Sequence, residues 1–467
     1  MLNKVKKIVS LVLSMTIISV IAAGCKTEKK SLGEDGKVHI TVSNFPTNAN
    51  PEAQESMQKL YDEFMEKNPD VVIEGDQYEY SVDTFLPLVN SGSLPTLYRC
   101  WFSEIDKIID SGYASDITAA AKKYGYDSMF EDDVIKLLTK GGKIYGVPNK
   151  VYTLGLDMNV AMFKEAGLVD AEGLPIVPET WDELREAAIK IKEKTGKSGF
   201  VLPTTNNKGG WTFMTMAWSY GVEFEEVKDN KVYATFNSPE MVEVLEFIRD
   251  LKWKDKVMPD NALLSSSNVQ ELFATNQAAM AITANPASGL ISTYNMSKDD
   301  IAHNVAPAGP KGKYALMGGE EWFIKPGATP EEIDACMRWL KFSGVTDEIT
   351  PEYEENLKSS LQQSKEKGLI VLSRGFSYPL YKQDGERQKK LDEIYKDYEN
   401  VNPKLFNVED EEMIVRREPE YKAQELYKAL DGVLQEILTN KDTDIPALLQ
   451  RTQEDFQHNY FDNYTIQ

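Results

Sequence analysis

Along this chain the spacing of hydrophobic positions switches between two and three-to-four residues. Val38-His39-Ile40-Thr41-Val42 alternates apolar and polar, the pattern of a half-buried strand, and Ser43-Asn44-Phe45-Pro46 ends it. Asn50-Pro51 then opens a helix with Ala53, Met57, Leu60, Tyr61 and Phe64 on one face. Asn68-Pro69 stops that helix, and Val71-Val72-Ile73 begins a second strand. This β-α-β opening predicts a mostly parallel sheet covered by helices. Later helix starts carry their own chemistry. Thr180-Trp181-Asp182-Glu183 and Thr329-Pro330-Glu331-Glu332 read as capping boxes, and Ser238-Pro239 as a capped start. From about residue 350 the sequence is charged and helical, with Leu426, Leu430, Val433 and Ile437 as one buried stripe.

The N-terminus departs from this alternation. Lys4, Lys6 and Lys7 precede an apolar run from Ile8 to Ala22, and Ala22-Ala23-Gly24 lead into Cys25. A cationic start, a short apolar run and small residues before a cysteine predict a secretory signal over 1–24 with Cys25 lipidated. A polar tether over 25–36 would follow. Removing 1–24 takes away three lysines and no acids, so the net charge would move from −22 to −25. No later stretch is long and apolar enough to span a bilayer.

Composition narrows the partners. With 467 residues and 42% hydrophobic content the chain is large enough for two units of ordinary domain size. Its 74 acids against 52 bases repel phosphates, so no nucleic acid partner is expected. The three cysteines and three histidines show no metal-ligand spacing, and neither metal nor cofactor is expected. For Cys100 and Cys336 two readings stand, a disulfide or two buried thiols.

An ordered set of motifs is similar to the family 1 extracellular solute-binding proteins, the group that includes maltose-binding protein. It comprises Gly141-Gly142-Lys143-Ile144-Tyr145-Gly146-Val147-Pro148, Leu154-Gly155-Leu156-Asp157-Met158-Asn159, Met162-Phe163-Lys164-Glu165-Ala166-Gly167-Leu168 and Pro178-Glu179-Thr180-Trp181. Ser91-Gly92-Ser93-Leu94-Pro95, Phe273-Ala274 and Pro307-Ala308-Gly309-Pro310 before Gly318-Gly319 continue it, across roughly 37–343. Met158 stands where the family has Tyr, and Thr96 follows Pro95 where it has Asp. The resemblance implies an α/β, two-lobe periplasmic-binding-protein-like (class II) fold with three hinge crossings, near 149–152, 281–284 and 319–322. The first lobe would hold 37–150 and 284–320, the second 151–283 and 321–467. It further implies a monomer, held outside the cytoplasm by the lipid on Cys25, that captures a mono- or oligosaccharide and delivers it to ABC permease subunits.

Sugars offer apolar C–H faces and a belt of hydroxyls, so their sites need aromatic rings beside carboxylates, amides or Arg. Trp211, after the loop Asn206-Asn207-Lys208-Gly209-Gly210, is the first candidate. Trp101 and Phe102 follow a loop that faces the family's cleft. Glu320, Glu321 and Trp322 follow the flexible pair Gly318-Gly319. Asn44 and Phe45 end the first strand, where open α/β sheets bind ligand. Asn285 qualifies by position, and Arg374 is a surface residue or a distant contact. Trp181 and Trp218 read as core. A carbohydrate-active hydrolase would need two opposed carboxylates, and adjacent acids such as Glu320 and Glu321 are cheap coincidences in so acidic a chain. A non-sugar solute, or presentation of ligand to a sensor, keeps the same fold.

Overall fold

The computed structural model describes residues 32–383, 385–464 and 466. The expected signal, Cys25 and most of the tether lie outside them. Among the described residues no helix is long and apolar enough to cross a membrane.

The chain builds two sheets, each with its own helices. The first runs in the order Met413–Arg417, Lys313–Ile324, Leu97–Trp101, Val38–Val42, Val71–Gly75, with Gly146–Thr153 on the other edge of the long strand Lys313–Ile324. Val38–Val42 lies parallel to Val71–Gly75 as the opening pattern predicts, but both sheets are mixed rather than mostly parallel. Lys313–Ile324 runs antiparallel to Leu97–Trp101 and Gly146–Thr153, and Gly155–Asn159 antiparallel to both its neighbours. The second sheet runs Phe406–Asn407, Ile301–Val305, Gly155–Asn159, Ala278–Thr283, Ser198–Val201.

Helix starts follow the sequence signals. Asn50 caps Pro51–Lys67 by accepting from the Ala53 amide at 3.2 Å, and Tyr61 and Phe64 are buried. Thr329 and Glu332 close a reciprocal capping box at the start of Pro330–Phe342. At Trp181–Thr195 only half of the box forms. Thr180 accepts from the Glu183 amide, but Glu183 Oε2 accepts from the Glu179 amide, one residue further back. Helix Ala423–Thr439 buries Leu426, Leu430, Val433 and Ile437.

Strand pairing redraws the expected division. The chain first passes between the sheets at Leu154, a little beyond 149–152. Residues 281–284 are no second passage. Ala278–Thr283 and Ile301–Val305 both pair with Gly155–Asn159, so the second sheet keeps the chain until after Val305. The segment 284–320 is therefore split between the sheets. Residues 319–322 lie inside the long strand, and Pro330–Phe342, assigned above to the second lobe, packs in the first unit. Trp339 meets Tyr61 edge-on at 4.8 Å and Phe64 at 5.4 Å. Nonlocal pairing sets these limits, and local patterns do not reveal it.

Cys100 and Cys336 are buried free thiols in separate core clusters, so the disulfide reading falls. Residues 345–383 and 385–400 form an appended helical segment with a small core of Leu361, Val371 and Ile394. From it, residues 376–382 cross between the units. Asn285 Nδ2 donates to the Phe376 carbonyl at 2.6 Å on the second unit. On the first unit the Glu131 amide donates to the Leu380 carbonyl, and the Lys382 amide to the Met129 carbonyl.

Candidate functional site

The long strand supplies the frame. Its register sets Glu320 opposite Trp101 and Lys150, Trp322 opposite Arg99, and Gly318 opposite Tyr152. Side chains alternate along a strand, so Arg99, Trp101, Lys150, Tyr152, Glu320 and Trp322 share one face. Their contacts agree. Arg99 Nη1 meets Glu320 Oε2 at 3.0 Å, and its guanidinium lies 5.3 Å from the Trp322 ring centre. Trp322 Nε1 donates to Asn149 Oδ1 at 3.0 Å. The Tyr152 ring occupies the space that a Cβ on Gly318 would need, with ring atoms 2.7 Å from that position. Trp101 is 38% exposed at the strand end and meets Tyr80 edge-on at 5.1 Å.

The second unit closes this face through helix Lys208–Tyr220. Asn206 and Asn207 take left-handed backbone at φ 60° and 66°, a conformation Asn tolerates better than most residues. The Asp431 carboxylate accepts from the Asn207 amide at 2.7 Å and the Gly210 amide at 2.8 Å, fixing the loop to helix Ala423–Thr439. Gly210 has no room for a side chain against the Tyr427 backbone. Trp211 is thereby brought edge-on to Tyr152, centroids 6.1 Å apart. Lys208 Nζ stands 4.6 Å from the Trp211 ring centre and Lys150 Nζ 5.9 Å from that of Tyr152. A side-chain relay joins the units. Asn207 Nδ2 donates to Gln424 Oε1 at 3.1 Å, and Gln424 Nε2 donates to Ser103 Oγ at 3.0 Å.

The opposite face of the strand is packed and acidic. A Cβ on Gly319 would collide with the Lys150 carbonyl and meet the Phe102 ring at 2.7 Å. Glu321 is 0% exposed there, with no hydrogen-bond partner on either carboxylate oxygen. Burial, then Glu418, Glu320 and Glu104, pushes its pKa well above the usual carboxylate range. Glu104 accepts from Tyr80 Oη at 2.6 Å and Lys107 Nζ at 2.7 Å. Glu418 accepts from Tyr427 Oη at 3.0 Å, and burial pushes it up to about 7.

The sequence candidates therefore separate. Trp101, Glu320 and Trp322 lie on the open face with Trp211 across from it, whereas Phe102 and Glu321 lie on the packed face. Asn44, at φ 61°, donates its amide to the Tyr78 carbonyl, and Phe45 packs over Gly75 and Tyr61. Asn285 lines a cavity of about 440 Å³ with Lys150, Tyr152, Phe376 and Tyr378. Arg374 is held by Asp392 at 2.6 Å. Met158 is buried in the second sheet, away from this face. Trp181 and Trp218 are buried as expected, with Trp181 Nε1 donating to Ser219 Oγ. Arg99, Lys150, Tyr152, Lys208 and Gln424 went unnoticed in the sequence. The Gly318-Gly319 pair was the available signal, since it marks where bulky groups approach the strand.

Two α/β units with an aromatic and polar face between them define a solute-binding protein. The chain belongs to the bacterial extracellular solute-binding protein family, whose sequence profile matches residues 59–355. The maltodextrin-binding protein MdxE of Bacillus subtilis (strain 168) is 22% identical over 407 residues, 84% of this chain and 86% of that one. An ABC transporter solute-binding protein from Thermotoga lettingae TMO, bound with alpha-D-tagatose, superposes with a TM-score of 0.65 at 19% identity, covering 90% of this chain and 99% of that one. An ABC substrate-binding protein from Listeria monocytogenes in complex with cycloalternan gives 0.65 at 18% identity, covering 90% and 98%. Membership of this family places the chain among extracytoplasmic binding proteins.

Proposed function

We propose that this protein captures a mono- or oligosaccharide between its two units and delivers it, chemically unchanged, to an ABC permease. The observation that carries this reading is the face running from Trp322 through Arg99, Glu320, Lys150 and Tyr152 to Trp211. It sets flat rings for sugar C–H faces beside charged and amide groups for hydroxyls. The sugar-binding relatives support it. Residue 154 and residues 306–312, 408–412 and 418–422 are among the passages about which the units close. Closure is favoured because the solute touches both units only when they are closed. Trp101, Glu320, Trp322 and Trp211 are direct contacts in this reading, and the protein acts as a monomer anchored by a lipid on Cys25. Release of a Cys25→Ser variant into the medium would support the anchor; continued membrane retention would sink it.

The test is thermal unfolding of protein that has been unfolded and refolded to strip carried ligand, against a broad sugar panel. A ligand at about 100 times its Kd adds roughly 2.7 kcal/mol. One strong, structure-selective shift, with the sugar recovered intact, supports the reading. A shift only with peptides, polyamines or phosphate esters would overturn it.

A further inference from the structure

The open face has the opposite charge to the chain that carries it. The sequence holds 74 acids and 52 bases. On this face stand Arg99, Lys150 and Lys208 beside Glu320, which Arg99 already holds, while Glu409 lines a neighbouring cavity with Lys150. Lys150 and Lys208 are exposed, and among the described residues neither ammonium lies within ion-pair distance of a carboxylate. Each stands instead over one ring of the Tyr152–Trp211 pair. The acids whose charge reaches Lys208 are Glu418 and Asp431. Both are engaged, Glu418 by Tyr427 and Asp431 by the backbone amides of Asn207 and Gly210. Arg99 adds a buried Nε with no partner.

We propose that the solute's sugar carries an anionic group, a carboxylate or a phosphate, and that Lys150 and Lys208 receive it. The inference rests on the carbohydrate reading above and narrows it. Lys150 sits on the strand that leaves the first unit and Lys208 on a helix of the second. An anion reaching both is a contact available only in the closed form, the differential interaction that drives closure. The rings beneath the two ammonium groups take the apolar face of the sugar. A cation over a ring is also a structural contact in its own right, so the test must separate lost charge from lost packing.

Isothermal titration of the stripped full chain against glucuronate, galacturonate, digalacturonate and glucose 6-phosphate, beside glucose, galactose and maltose, makes that separation. At least one acidic sugar should bind about tenfold or more tightly than its neutral counterpart. That advantage should shrink as NaCl rises from about 20 to about 500 mM. Uronates against the sugar phosphate decide which anion is meant. Lys150→Met and Lys208→Met keep the apolar stem and remove the charge. Each should weaken the acidic sugar about tenfold more than it weakens the neutral one, with the ligand-free melting temperature in place. Neutral sugars that bind as tightly as acidic ones, or variants that weaken both alike, overturn this inference and leave the carbohydrate reading standing. If no sugar of either kind binds, the carbohydrate reading falls and this inference falls with it.

Discussion

The two faces of the strand Lys313–Ile324 invite comparison because adjacent residues are sent to opposite environments. Glu320 is half-buried and held by Arg99 on the open face, beside Trp322 and Lys150. Glu321 is sealed on the other face with Glu104, Glu418 and Phe102 around it and no hydrogen-bond partner. One carboxylate is therefore ion-paired on the open face while its neighbour is enclosed without a partner. The same residue type, one position apart, belongs to recognition in one case and to packing in the other, and strand alternation alone makes the assignment.

The comparison breaks most severely at its dividing line. Gly319→Val forces a side chain onto the Lys150 carbonyl and the Phe102 ring, and should cost about 3 kcal/mol or more, read as a lower denaturant midpoint. An unchanged midpoint would mean that the packed face is loose. Trp211→Ala removes the ring opposite Tyr152. It should weaken solute binding by about ten- to a hundredfold in titration while the ligand-free protein stays folded; unchanged affinity would place the solute elsewhere.

The pH dependence of stability sharpens the buried side. Glu418 is raised from 4.5 to about 7, and Glu225, also by burial, to about 7. A carboxyl raised on folding contributes its stability in full below its unfolded value and loses it as pH climbs to the folded value. The denaturant midpoint should therefore fall between about pH 4.5 and 7. Glu418→Gln, which keeps an acceptor for Tyr427, should flatten part of that fall and stabilise the protein at pH 8 by about 1–2 kcal/mol. A parallel profile in the variant would show that Glu418 ionises normally. The smallest effect belongs to the open face. Glu320→Gln breaks a partly exposed ion pair and should move stability by less than about 1 kcal/mol.

Much of the fold was legible because its signals are local. Asn50, Thr180, Ser238 and Thr329 all accept from the first turn of the helices they precede. The unit boundaries were not legible, since nothing in Ile301–Val305 itself says that it pairs with Gly155–Asn159. The site was half legible. Trp211 and Trp322 were marked by neighbouring glycines, but Glu320 and Glu321 were indistinguishable until the register with Leu97–Trp101 fixed their phase. Lys150 and Tyr152 look like ordinary strand residues, and only the fold sets Tyr152 against Trp211 with Lys150 over the Tyr152 ring. Arg374 was named for its type and is occupied by Asp392.

The segment 376–382 has a mechanical consequence. It is fastened to the first unit by two peptide hydrogen bonds, the Phe130–Tyr381 stack at 5.3 Å and Tyr378 Oη on Asp133 at 3.0 Å. Its grip on the second unit is one amide bond from Asn285 and the Phe376–Phe406 contact at 5.5 Å. Any motion that parts the units loads both ends in series, and a chain under load yields at its weaker joint. Of the strap's two fastenings the Asn285 joint is the lighter, and it is the expected point of release if the units part.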